Sequence, residues 1–286
     1  MSVVTLGRRR RYRFGAAAIA TGLIALAAVV FVLVPLWVAV VTSFKPLAEA
    51  KLLSIELPQR WQVIENYSTV IERSRYLQGL RNSLVVTSAS VLACLVLGAM
   101  ASWVFARRRA RIVRLLYVAS VAGIIVPAAI VPSIALLRVL GLQGTQLGLI
   151  VVYVAGMMPI TVFILTGFVR TIPLELEDAA RIDGCGDLGV FFRIVLPLLR
   201  PALTSVAVLV TIIIWTEFFS AFLILSGRES QTLPLGLWYV SSGAINQVQW
   251  NFVFAHVVLV SLPLVAFYFV AQRRIEGGIV MGSLRG

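Results

Sequence analysis

The sequence predicts an all-α integral membrane protein with six transmembrane helices and both termini on the inner side. Three observations predict it. The 286 residues are 60% hydrophobic and only 13% charged, whereas a soluble domain carries roughly 25% charged residues. The charges are clustered, which leaves uncharged stretches of the ~20 residues that a spanning helix needs. The segments between those stretches hold Arg in blocks that alternate from one side to the other, as loop charge does in a multi-pass protein.

The spans follow in order. The first is Gly15–Val41, after the basic block Arg8, Arg9, Arg10, Arg11 and Arg13. A cleaved signal peptide has an apolar core of ~7–15 residues; the uncharged run from Phe14 to Phe44 is far longer, so this reads as an uncleaved helix. The others are Leu84–Ala106, Leu115–Leu137, Leu147–Val169, Leu203–Leu225 and Phe252–Ala271. Only the fifth contains a charged residue, Glu217. With the N-terminus inside, most Lys and Arg fall on inner segments, and the turn Arg107–Arg114 holds five Arg and no acid. The outer segments Ser43–Arg81 and Ser226–Asn251 are long enough to lie along the membrane surface or re-enter it. Trp238, Tyr239 and Trp250 suit anchors at the outer interface. Residues 1–286 form one membrane domain in this reading, without an internal repeat or low-complexity linker.

Several classes are excluded. The net charge of +13 is not a nucleic-acid footprint, because the basic residues flank apolar runs as topology signals. Cys94 falls in a span and Cys185 in an inner loop, so no disulfide is expected. His256 is the only histidine, and no metal or other cofactor is expected in the chain. A phosphate-binding loop needs Gly-Lys followed by Ser or Thr. Lys45 follows Phe44 and Lys51 follows Ala50, so the chain is not expected to hydrolyse ATP or to be an enzyme.

The inner loop Arg170–Pro201 is the most informative stretch. Thr171 can cap a helix, Pro173 suits its first turn, and Glu175, Glu177 and Asp178 complement its dipole. Asp183-Gly184 signals a stop. Asp187 can start a second short helix, which Pro197 ends or kinks. Ala179 and Ala180 permit close approach, while Leu174, Ile182, Phe191 and Phe192 supply apolar patches. From these residues alone, a docking socket and an amphipathic helix lying on lipid remain equal readings.

The loop resembles the EAA signature of binding-protein-dependent ATP-binding-cassette (ABC) importers: an acid, two alanines, a glycine four residues on, and a later isoleucine, any residue, leucine and proline. Asp178, Ala179, Ala180, Gly184, Ile194, Leu196 and Pro197 occupy those positions at the right spacing. Asp178 stands where the family usually has Glu, and Glu177 is adjacent. Weaker resemblances run along the chain in order: Ser43-Phe44-Lys45, Asn66-Tyr67, Asn82-Ser83-Leu84, Trp215-Thr216-Glu217-Phe218, Thr232-Leu233-Pro234 and the tail Gly282–Gly286. Together they are similar to the second, maltose-system-type permease of the carbohydrate branch. The resemblance implies a type I ABC importer permease fold in a bacterial plasma membrane. It implies a coupling helix seated on an ATPase, with Glu177, Asp178, Ala179, Ala180, Asp183, Gly184, Ile194, Leu196 and Pro197 at or near the contact. The implied partners are a second permease, two ATPase subunits carrying ATP and Mg, and an extracytoplasmic sugar-binding protein or lipoprotein. The tail is a second implied contact.

For the cargo path, Glu217 is either a hydrogen-bonding group lining the pathway or a polar clamp between helices. Trp215 can stack on a sugar or simply pack, and Tyr153 and Thr161 are weaker candidates. No Lys or Arg lies deep in a span and only one acid does, which favours a neutral sugar or polyol. The alternatives are glycerol phosphate, a polyamine or a peptide carried by the same machine, or a stand-alone secondary transporter. The last would want coupling-ion carboxylates or paired broken helices and has no use for the socket loop.

Overall fold

The computed structural model describes residues 9–126, 129–241 and 248–283, with side chains described for 20–126, 129–241 and 248–272. The side chains of the N-terminal basic block, Asn246, Gln247 and the tail residues Leu284–Gly286 lie outside these. The described residues are almost entirely helical. The chain divides into two compact units, Met1–Val70 with Val240–Val258, and Ile71–Tyr239 with Leu259–Gly286.

In the first unit, α1 (Arg9–Ser43) carries the apolar stretch Ala20–Ser43, which is largely exposed, as suits a helix surrounded by lipid or by another chain. A short α2 (Leu47–Ala50) and α3 (Val63–Arg73) follow. A polar knot holds the segment after α1. Asn66 Nδ2 donates to the carbonyls of Ser43 at 2.9 Å and Lys45 at 3.0 Å, and accepts at Oδ1 from Asn251 Nδ2 at 3.0 Å. Ser43 Oγ lies 3.0 Å from the Tyr67 hydroxyl. Lys45 is buried, its ammonium bonded to Ser54 O and Oγ. Two fragments that are separate in the sequence, Ser43-Phe44-Lys45 and Asn66-Tyr67, are thus one structure.

The second unit is built on α4 (Tyr76–Arg107) and α7 (Gln146–Thr171). Every fourth residue of α4 from Asn82 faces inward: Val86, Ser90, Cys94, Gly98 and Ser102 are buried. On α7 the matching row is Leu149, Tyr153, Thr161, Leu165 and Val169. Small residues on one row let the backbones approach, the usual solution where lipid offers no hydrophobic drive to associate. The approach is close at Gly98, where a Cβ would sit 2.4 Å from Thr161 Cγ2. Ser102 Oγ adds a bond to Val162 O at 3.2 Å. Thr145 caps α7, its hydroxyl accepting from Gly148 N at 3.0 Å.

Two expected spans are not single helices. Leu115–Leu137 is divided into α5 (Arg111–Ala122) and α6 (Ile130–Val139). Gly123 follows directly on the last residue of α5. Leu203–Leu225 is also divided. There α11 (Arg200–Thr216) stops before Glu217, and α12 (Phe219–Ile224) begins two residues later. Hydropathy averages over both breaks. The described residues therefore contain four helices long and apolar enough to span, Ala20–Ser43, Tyr76–Arg107, Gln146–Thr171 and Trp250–Gln272, and a fifth if Asp187–Leu198 and Arg200–Thr216 form one bent span.

The remaining elements are α8 (Leu174–Ile182), α9 (Asp187–Val190), a π-helical turn (Phe191–Val195), α10 (Leu196–Leu198), α13 (Leu233–Ser241) and α14 (Trp250–Ser283). The segments on either side of Leu199 meet at 71°. Pro197 and Pro201 flank this point, and neither supplies an N–H to the ladder. α4 begins two turns before its apolar run because its polar start is used: Asn82 Nδ2 donates to Glu229 O at 2.7 Å and Gln231 O at 2.9 Å, and Ser83 Oγ accepts from Leu233 N at 2.8 Å.

A Gly98→Leu substitution forces a side chain against Thr161 and should cost about 1–3 kcal/mol, as overpacking does in other cores. The unfolding midpoint of the detergent-solubilised protein should fall. Gly156→Ala should not lower the midpoint, since a Cβ there meets nothing within 4 Å and alanine is the better helix former.

Candidate functional site: the projecting loop and the broken helix

The loop between α7 and α11 folds as a short helix, a turn and a second short helix, as the sequence predicts. Its entry differs in detail. Thr171 ends α7 and its hydroxyl donates back to Phe168 O at 2.8 Å, so it does not cap α8. Pro173 stands just before α8 in an extended conformation, with Leu174 as the first helical residue. The exit is a Schellman turn. Cys185 N donates to Ala180 O at 2.9 Å and Gly184 N to Arg181 O at 3.0 Å. Gly184 has φ +84° with open space around it, so backbone conformation, not room, asks for glycine there.

The two acids expected at the contact point in opposite directions. Glu177 is fully buried, while the Asp178 side chain is 65% exposed. Oε1 of Glu177 accepts from Arg107 Nε at 2.8 Å and Oε2 from Trp103 Nε1 at 3.1 Å. The same guanidinium donates to Ile172 O at 2.8 Å. Breaking a buried pair like this by removing one partner costs roughly 3–5 kcal/mol. Arg181 reaches Asp178 at 3.1 Å and Asp187 at 3.6 Å, in exposed pairs that add little. Around these groups lies a cleft of about 380 Å³, lined by Trp103, Leu174, Arg181 and Asp187 among others.

The outward surface of the loop is apolar and acidic. Ala179 and Asp183 are exposed there, and Ile182 and Leu188 present 86% and 66% of their surface. Ala180 is buried in the core, with Ile194 and Leu196 packed partly against it. Pro197 is half-buried at the bend. The residues around the signature thus divide into an outward set (Asp178, Ala179, Asp183, Gly184) and a set that holds the loop in shape (Glu177, Ala180, Ile194, Leu196, Pro197). Arg107 and Trp103 were missed: in the sequence Arg107 is one of a block of topology signals, and nothing in a single sequence sets it apart.

The residues considered for a cargo path separate into two places. Glu217 is at the break between α11 and α12. It accepts from Ser220 N at 2.9 Å and 3.1 Å and from the Tyr153 hydroxyl at 2.8 Å. It therefore satisfies the first amides of α12 and ties them to α7. Trp215 is buried, donates from Nε1 to Val260 O at 3.1 Å, and forms part of the wall of an apolar groove of about 320 Å³ with Leu84, Ala207, Pro263 and Phe267. Thr161 is buried against Gly98. The structure brings Tyr153 and Glu217 together and leaves Trp215 and Thr161 in packing positions. Thr216 bonds back to Ile212 O at 2.9 Å.

The described residues define a largely helical membrane protein whose loop between α7 and α11 is a short helix closed by a Schellman turn and followed by a second short helix. The profile described as "Binding-protein-dependent transport system inner membrane component" matches residues 94–280, and the chain belongs to that family. It is 33% identical to the diacetylchitobiose uptake system permease protein NgcG of Streptomyces coelicolor, over 94% of this chain and 89% of that one. It is 30% identical to the melibiose/raffinose/stachyose import permease protein MelC of Bacillus subtilis, over 77% and 80% of the two chains. Its fold matches a chain of a bacterial ABC transporter involved in the import of the acidic polysaccharide alginate, with a TM-score of 0.77 at 21% identity, covering 95% of this chain and 99% of that chain. The chain is a permease subunit of an ABC importer.

Glu217→Ala removes the acceptor for both the α12 amides and Tyr153, and should destabilise the solubilised protein by about 1–3 kcal/mol. Glu217→Gln keeps an acceptor oxygen and should lose less than half as much. Equal losses in thermal unfolding would mean that the charge, not the acceptor, holds the break.

Proposed function

We propose that this chain forms half of the translocation pathway for a neutral sugar or related polyol, and that the α8 loop couples that pathway to ATPase subunits. The observation that carries the coupling role is the closed α8–Gly184 turn, with Asp178, Ala179, Ile182 and Leu188 outward and Glu177 locked inward. A rigid helix seated in a moving cleft must travel with it, and alternating access then becomes rigid-body motion. Asp178, not Glu177, is the acid available to the partner. Asp183 and Gly184 complete the outward turn, while Ala180, Ile194, Leu196 and Pro197 set its height above the spans.

The working assembly in this reading contains a second permease of the maltose-system type and two ATPases that bind ATP and Mg. It also contains an extracytoplasmic sugar-binding protein or lipoprotein. The assembly sits in a bacterial plasma membrane, with both termini of this chain inside. The sugar cargo is supported by the oligosaccharides named for NgcG and MelC, and by a sequence with one acid and no Lys or Arg deep in its spans. Of the pathway residues, Glu217 and Tyr153 engage each other at a helix break, and Trp215 and Thr161 are packed. This chain therefore supplies shape more than cargo contacts at these four positions. Glycerol phosphate, polyamine and peptide cargoes remain the comparators.

Gly184→Arg should abolish uptake while the protein still inserts and accumulates in the membrane. The ATPase chains, recovered with the unaltered protein in mild detergent, should be lost from the variant. Normal uptake by the variant would end the coupling assignment. Competition of uptake by neutral oligosaccharides, and not by glycerol phosphate or spermidine, is the expected cargo profile.

A further inference from the structure

The coupling reading requires that movement of α8 reach the spans, and the covalent route is weak. α8 joins α7 through Ile172 and Pro173, both extended, with ψ 123° and 134°. Two extended residues between helices form a joint about which α8 is free to swing. Burial of Ala180 in the core opposes the swing in part, and two side chains from the end of α4 oppose it directly. Arg107 is the last residue of α4, and its guanidinium grips two points. One is Glu177 Oε1 within α8, and the other is Ile172 O on the joint itself, each at 2.8 Å. Trp103, one turn earlier on α4, holds the other carboxylate oxygen and packs against Phe191 of the π-helical turn with ring centroids 5.5 Å apart and planes tilted by 43°.

The burial of this grip gives it stiffness. Glu177 is fully buried and the Arg107 side chain 13% exposed. The cleft reaches Arg107, but the Glu177 carboxylate is closed off, so separating the two leaves a buried charge uncompensated. A surface pair such as Arg108–Asp187, at 3.6 Å with both side chains more than half exposed, would slip under load. The fork of Arg also resists rotation in a way a single point charge cannot.

We propose that Arg107 is a positioning residue that fastens the coupling helix to α4, so that displacement of α8 is delivered to the second expected span as well as to α7. The inference rests on the coupling reading and goes beyond it: it names the internal joint, where the signature residues name only the docking face. Its consequence is a division of labour between neighbouring acids, with Asp178 meeting the partner and Glu177 meeting Arg107.

The test uses the complete importer, with its partner permease and ATPases, reconstituted in proteoliposomes. Uptake per ATP hydrolysed is the readout, since simple loss of folded protein lowers both quantities together. Arg107→Ala should keep its ATPases and their hydrolysis but lose about tenfold in uptake per ATP. Arg107→Lys, which keeps the charge but not the two-point fork, should lose less. A second version replaces Arg107 and Glu177 with cysteines in a chain whose Cys94 and Cys185 are alanine. Bridging that pair with a flexible bifunctional thiol reagent should restore uptake per ATP, and it decides the matter if Arg107→Ala fails to accumulate. Unchanged uptake per ATP in Arg107→Ala, or a bridged pair that hydrolyses ATP without uptake, overturns the proposal. Loss of the ATPases from Arg107→Ala also overturns it, by making the pair part of the docking surface. Gly184→Arg run in parallel separates the two readings: if it is inactive while Arg107→Ala is fully coupled, the joint fails and the docking loop stands.

Discussion

The contact between α4 and α7 carries the rest of the second unit, and its physical basis is the small size of the side chains on one row. In lipid, apolar surface gains nothing by leaving its surroundings, so helices associate where their backbones can come close. The row Ser90, Cys94, Gly98 and Ser102 provides that approach, and Thr161 fills the space that Gly98 leaves. The other positions are set from this seam. Tyr153, on the inner row of α7, reaches Glu217 at the end of α11. Arg107, at the end of α4, reaches Glu177 and Ile172. The start of α4 holds the 229–233 segment through Asn82 and Ser83.

Charge in this protein is placed by what it must satisfy. Glu217, Glu177 and Asp178 have similar chemistry and different employment. Glu217 answers amides freed where α11 stops, the accommodation expected of a broken helix in a membrane. Glu177 answers a guanidinium and an indole in a buried site. Asp178, one residue later, turns to the outside because successive helix positions are about 100° apart. Adjacent acids on a short helix can therefore serve an internal joint and an external partner without competing.

Class and most helices were legible in the sequence because long uncharged runs have few alternatives in a protein of this length. The loop was legible in outline: acids at a helix start and Asp183-Gly184 at its end are local signals, and the positive φ of Gly184 is what that signal means physically. The breaks were not legible. Leu115–Leu137 and Leu203–Leu225 are apolar on both sides of their interruptions, and a window average does not register a short stretch that leaves the helix. Nor does a sequence reveal that Arg107 differs from Arg108 and Arg109. The three share composition and context, and only the packing of α8 against α4 selects the one whose reach meets a buried carboxylate. The motif fragments carried a different message: Ser43 to Lys45 with Asn66 and Tyr67, and Asn82-Ser83 with the 229–233 segment, are spaced far apart in the chain because each pair is a long-range hydrogen-bonded partnership.

The seam and the joint act together. Interdigitated rows do not slide by fractions of an ångström, because packed interiors have discrete arrangements. With Thr161 seated on Gly98 and Ser102 bonded to Val162, α4 and α7 resist relative motion. A force delivered to α8 that reaches only α7 through an extended joint would first be spent in rotating that joint. On the proposed coupling, the Arg107 grip removes that freedom, and the α4–α7 pair would receive the displacement as one body. The break at Glu217 is the complementary feature: α11 and α12 meet there without a continuous ladder, and the carboxylate that bridges them also binds α7. On the proposed coupling, displacement of the pair would reach α12 at a point where the helical ladder is already interrupted.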